Sequence, residues 1–124
     1  MSRPPRVPGL SLDDADRLVR ATLEAGADHG FPPLAAVVVD LTGEPIALRR
    51  SDGAKPMASR IALAKARSAL ISLGPSGALD GMPPGIIAAM QAAYGGDFVP
   101  RAGGVPVVGD GVLLGAAGAS GATS

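Results

Sequence analysis

Cysteine and tryptophan are absent from the 124 residues, and the chain carries one histidine, one tyrosine and two phenylalanines. Without cysteine there is no disulfide framework, no thiolate nucleophile and no Cys-built zinc or iron–sulfur site. A reducing, cytoplasmic compartment fits that composition. A single imidazole does not assemble a catalytic zinc site with three protein ligands unless carboxylates help. Charge of one sign is also missing: eleven basic residues balance eleven acidic ones. With no Lys/Arg run and few rings to stack on bases, nucleic acid is not an expected partner. The longest apolar run, residues 34–39, is too short to cross a bilayer, and no signal-length apolar run follows the basic start, so no membrane partner is expected.

What is abundant is small. Alanine and glycine dominate the apolar fraction, with 18 glycines in the chain. Backbones can then approach closely, but each buried side chain removes little area from water. At roughly 25 cal/mol per Å2 of apolar burial, such a core is marginal alone, so association into a homo-oligomer is expected. The length suits one domain, residues 10–124, behind a Pro- and Arg-rich flexible lead-in over residues 1–9.

Ser11, with Asp14 three positions on, reads as a helix N-cap. Leu12, Ala15, Leu18, Val19, Thr22 and Leu23 form one apolar stripe. Gly30-Phe31-Pro32-Pro33 ends that helix, and residues 34–40 read as a buried strand. Asp40 closes a turn over residues 41–44, and residues 45–50 pair back as a hairpin. A second helix is expected from about Ser59, as N-cap, to Leu73, its apolar arc made of Ala62, Leu63, Ala66, Ala69, Leu70 and Leu73. Residues 76–85 read as loop, and a short helix opening at Pro84 runs to Tyr94. Strands over residues 105–108 and 112–116 flank Gly109-Asp110-Gly111, a tight-hairpin signal, with a short edge strand suggested at Phe98-Val99-Pro100. The order implies an α+β protein, an antiparallel sheet flanked by helices.

Two segments carry a resemblance. Arg49-Arg50-Ser51-Asp52-Gly53-Ala54 leads into Ile61-Ala62-Leu63-Ala64-Lys65-Ala66-Arg67, and Gly103-Gly104-Val105-Pro106-Val107 leads into Gly118-Ala119-Ser120-Gly121-Ala122-Thr123. In this order they resemble the GlcG/HbpS-like, or haem-degrading-domain, family, which also supplies the C-terminal domain of PduO-type adenosyltransferases. The resemblance implies a profilin-like sheet and an oligomer that binds haem, another tetrapyrrole or a small organic acid. It also implies a helix after residue 123; the sequence ends at Ser124, so that helix is expected to be missing and apolar surface left for another chain.

On a helical wheel Lys65 falls with Ser68 and Ser72 at the boundary of the apolar arc. It is either a lysine snorkelling with its stem on the core, or a catalytic or ligand-binding amine reaching into a pocket to hold a carboxylate or act as a base. Arg50 and Asp52 are either a local ion pair with a turn, or ligand groups converging with Lys65; Arg49 should point to the opposite sheet face from Arg50. Gly118, Ser120 and Gly121 lie in a glycine-rich tail that reads as an anion cradle of backbone N–H groups, and Gly104 as strand packing or a pocket wall. His29 suits a helix C-terminus; as the sole imidazole it is also the candidate axial ligand to haem iron. Three functions stay open: a small-molecule or haem-binding protein, a small enzyme without an organic cofactor acting on a carboxylate metabolite through Lys65, and an accessory subunit of a catabolic enzyme.

Overall fold

The computed structural model describes residues 9–121; most of the expected lead-in and the closing residues 122–124 lie outside the described residues. Ser11 caps α1 (Leu12–Asp28), its hydroxyl accepting the Asp14 N–H at 3.0 Å, with Asp13 and Asp14 at the positive end of the helix. β1 (Ala35–Val39) is buried along its whole length. Asp40 then closes the turn: its Oδ1 accepts the backbone N–H of Thr42 at 2.8 Å and of Glu44 at 3.1 Å. The Thr42 hydroxyl also donates to that oxygen, and this bond contributes most to holding the Asp40 carboxyl below the usual carboxylate range. β2 (Pro45–Arg50) returns antiparallel.

Next come α2 (Pro56–Ser72), a 3-10 turn (Ser76–Gly81), α3 (Pro84–Tyr94), β3 (Gly104–Gly109) and β4 (Val112–Ser120). The four strands form one antiparallel sheet in the order β2-β1-β4-β3. Successive β1 residues serve opposite faces, as the strand period demands. Ala36 and Val38 pack with Ala15 and Val19 of α1, whereas Ala35, Val37 and Val39 pack with Ala58, Ala62, Ala66 and Ala69 of α2. The result is the α+β, profilin-like architecture, with helix layers on both faces of the sheet. Among the described residues no helix is long and apolar enough to cross a membrane.

Several expectations need correction. α2 starts at Pro56, with Lys55 rather than Ser59 in the N-cap position; a proline at the first helical position needs no N–H. Leu73 lies outside the apolar arc: it caps α2 in the left-handed region (φ 55°) and is 73% exposed. Residues 76–81 coil into the 3-10 turn instead of an open loop. Phe98-Val99-Pro100 is not a strand, because the Val99 N–H is held by the Ser68 hydroxyl at 2.7 Å and Phe98 plugs the core at 1% exposure. Between β3 and β4, Asp110 (φ 52°) and Gly111 (φ 77°) form the left-handed pair of a tight hairpin, as expected.

Candidate functional site

α2 can lie close on β3 and β4 because both surfaces are small. A Cβ on Gly118 would overlap the carbonyl oxygen of Ala62, and one on Gly104 would overlap that of Lys65. Residue 65 is thereby carried down onto the end of the sheet. Its stem runs along Gly103, where an added Cβ would sit 2.9 Å from Lys65 Cδ and 3.2 Å from Nζ. Gly103 itself has φ 132°, a conformation that side chains disfavour. Only 6% of Lys65 is exposed, so it is a buried residue and not the boundary lysine that the wheel implied.

Two buried hydroxyls fix the lip beside this lysine. Ser68, on α2, lies 2.8 Å from the Ala64 carbonyl and 3.0 Å from that of Asp97, and it accepts the Val99 N–H. Ser76 donates to the Arg101 carbonyl at 2.5 Å and accepts the Gly104 N–H at 2.8 Å. Residues 97–104 are thus stitched to α2 and the 3-10 turn at both ends.

Beneath that lip is a hollow of about 510 Å3, within the span of roughly 300–1,000 Å3 common for ligand sites. Lys65 and His29 both line it, with Phe31, Leu34, Gly103 and Ser120 among its walls. Among the described residues, Lys65 Nζ has neither a hydrogen bond nor an ion pair; no fully buried side-chain nitrogen or oxygen lacks a partner, so the amine tip keeps contact with solvent through the hollow while its stem is buried. Burial pushes the amine below the ordinary lysine value, and the Arg101 guanidinium nearby adds to the effect.

His29 follows α1, and its Nδ1 lies 2.7 Å from the Ala25 carbonyl. A carbonyl oxygen only accepts, so Nδ1 carries a proton, and in the neutral ring the lone pair is left on Nε2. That is the tautomer of a metal-binding imidazole oriented by a backbone carbonyl. The ring also stacks on Phe31, with centroids 5.8 Å apart.

The other candidates fall elsewhere. Arg50 is exposed on β2, in the row Arg50–Ala35–Ser120 at the same end of the sheet, and does not line the hollow. Arg49 points to the α1 face, as expected, and donates to Asp16 at 2.9 Å. Asp52 lines a separate hollow of about 200 Å3, on the other side of the wall made by Phe31 and Leu34. The tail is not a loop cradle: Gly118 and Ser120 belong to β4, their backbones paired with β1. Gly104 and Gly118 act through close packing, and Gly121 follows the strand with φ 126°. Gly26, Phe31, Leu34, Ala102 and Ala119 line the hollow without having been singled out. Gly26, a glycine in the last turn of α1 one turn beyond Thr22 and Leu23, was the one available signal: a Cβ there would overlap Leu34.

The family model for haem-degrading proteins of the HbpS-like type matches residues 10–124. No curated protein matches the chain. Among solved structures, PduOC in complex with haem superposes with a TM-score of 0.82 at 28% identity, covering 93% of this chain and 84% of that one. A double mutant of HbpS from Streptomyces reticuli gives 0.80 at 28% identity, covering 100% and 84%. The protein ORFY of Klebsiella pneumoniae gives 0.78 at 25% identity, covering 99% and 86%.

Proposed function

The chain belongs to the HbpS-like haem-degrading protein family, and we propose that it is an oligomeric small-molecule-binding protein that takes haem or another tetrapyrrole in the hollow beside α1. One observation carries this reading: the single histidine and a lysine with a buried stem and no side-chain partner among the described residues, 36 positions apart in sequence, line the same apolar hollow. Phe31, Leu34 and the alanines would cover the faces of a flat apolar ligand. The Lys65 ammonium would meet a carboxylate, and His29 Nε2 offers a lone pair to iron. The donor set fits haem, whose iron, when bound, supplies a centre open to axial ligation and redox chemistry. Structural similarity to a haem complex supports the same assignment.

Self-association is supported by α3. None of its residues is buried, and residues 81–96 contain no charged side chain. A helix of 11 residues is too short to stand without packing, and an uncharged face suits a second copy better than a charged partner.

The test is a haem titration followed at the Soret band. The native protein should show a saturable shift with a ligand-field signature that changes in His29→Ala. Absence of any saturable change would remove the tetrapyrrole reading. A second reading, a small enzyme acting on a carboxylate metabolite through Lys65, is favoured by the unpaired state of the amine.

A further inference from the structure

We propose that the Lys65 amine captures small carboxylate-bearing aldehydes as a covalent imine within the hollow. The inference rests on the same hollow as the binding function above, though not on iron or on His29.

The surroundings of the amine differ from those of a structural lysine. A buried lysine normally has an acid or a set of carbonyls around it. Here the nitrogen faces a hollow of about 510 Å3 walled mainly by alanine, glycine, Phe31 and Leu34. No acidic side chain lines that hollow, and the charge that acts on the amine is another cation, Arg101. Both influences favour the neutral amine, the form that attacks a carbonyl. Exposed Arg101, next in the chain to the lining residue Ala102, is near enough to act on the amine, and its charge would also favour a carboxylate on the aldehyde. Gly103 lets the stem pass without a side chain in its way.

The chemistry balances without a further reagent. The amine lone pair forms a C–N bond to the carbonyl carbon, giving a carbinolamine after proton transfer to the former carbonyl oxygen. Loss of water then leaves the C=N bond, and solvent at the mouth carries the oxygen away. No oxidant or reductant takes part.

The sequence supplies its own control, since Lys55 is the only other lysine and it is exposed. The protein would be incubated at neutral pH with 4-carboxybenzaldehyde and sodium cyanoborohydride, which fixes the imine as a secondary amine. Peptide mass spectrometry then reads the adduct at each lysine and at the N-terminus. The expected result is labelling at Lys65 about tenfold faster than at Lys55, reflecting a larger neutral fraction and a confined carbonyl. Equal labelling, or labelling of Lys55 with Lys65 spared, would overturn the proposal. Haem titration of the same sample reads the Soret band, so loss of either property is seen separately. A Lys65→Arg variant should lose the internal adduct while Lys55 labelling stays unchanged.

Discussion

At the scale of single residues, Lys65 is central to the proposed site and costs stability. Partial desolvation, with the Arg101 guanidinium nearby, keeps its folded-state pKa below the unfolded value. Between those two values the unfolded chain binds more protons, so stability should rise with pH as the amine deprotonates in the fold. Lys65→Met keeps the stem volume and removes the charge, and should stabilise the apo protein at pH 7 by up to about 1 kcal/mol, the solvent contact of the amine tip limiting the gain. The gain should shrink towards pH 10.5, where the unfolded lysine also becomes neutral. Urea midpoints at both pH values read this directly; an equal gain at each would mean that the amine is hydrated. Lys65 was legible in the sequence as a cation beside an alanine stripe, but its burial was not. Burial depends on Gly103 and Gly104, which meet it only through the fold. Asp52 shows the opposite failure: nearness in sequence to Arg50 and a turn suggested convergence, and the wall of Phe31 and Leu34 prevents it.

Among the elements, the pairing of α2 with β4 decides whether the hollow exists. Gly118 has the Ala62 carbonyl directly above its Cα. Gly118→Ala must push helix and strand apart along an otherwise close-packed face, and should cost about 3 kcal/mol or more. Equilibrium urea unfolding measures it, and a cost below about 1 kcal/mol would mean that α2 does not lie in contact with β4 at Gly118. The helices and the two hairpins were readable from caps, periodicity and turn residues, Ser11 and Asp110-Gly111 above all. The extension of β4 through Gly118 to Ser120 was not, because glycine and alanine carry little strand preference. Only pairing with the Val-rich β1 makes that segment a strand. The α2 start was missed for a related reason: Pro56 reads as a loop residue until the helix that it opens is recognised.

For the whole molecule, the sheet and the two helices packed on it account for the core but leave α3 with nothing to cover. Its Ile86 is 47% exposed, and beside its last residue, Tyr94, lies a second hollow of about 540 Å3 bordered by Leu70, Ile71 and the Arg67–Asp97 ion pair. Covering both in a second copy would bury the apolar helix that a monomer leaves in water. Ile86→Glu should therefore shift the mass seen by sedimentation from oligomer towards monomer while the far-ultraviolet spectrum of the core is kept. A wild-type monomer at micromolar concentration would contradict this. The α+β class and its layers were implied by element order alone; the lone position of α3 was not, since nothing in its sequence distinguishes a helix packed on its own sheet from one packed on another chain.

The central claim is that the imidazole at the C-cap of α1 and the amine of α2 face one ligand from two sides. Haem titrations of the native protein, His29→Ala and Lys65→Met, read by absorption, test it in a single experiment. The account predicts that His29→Ala alters the spectrum of the bound haem. Lys65→Met should leave that spectrum unchanged and weaken binding about tenfold, the loss of one charge-assisted contact. Two variants that bind haem with native spectra and native affinity would contradict it.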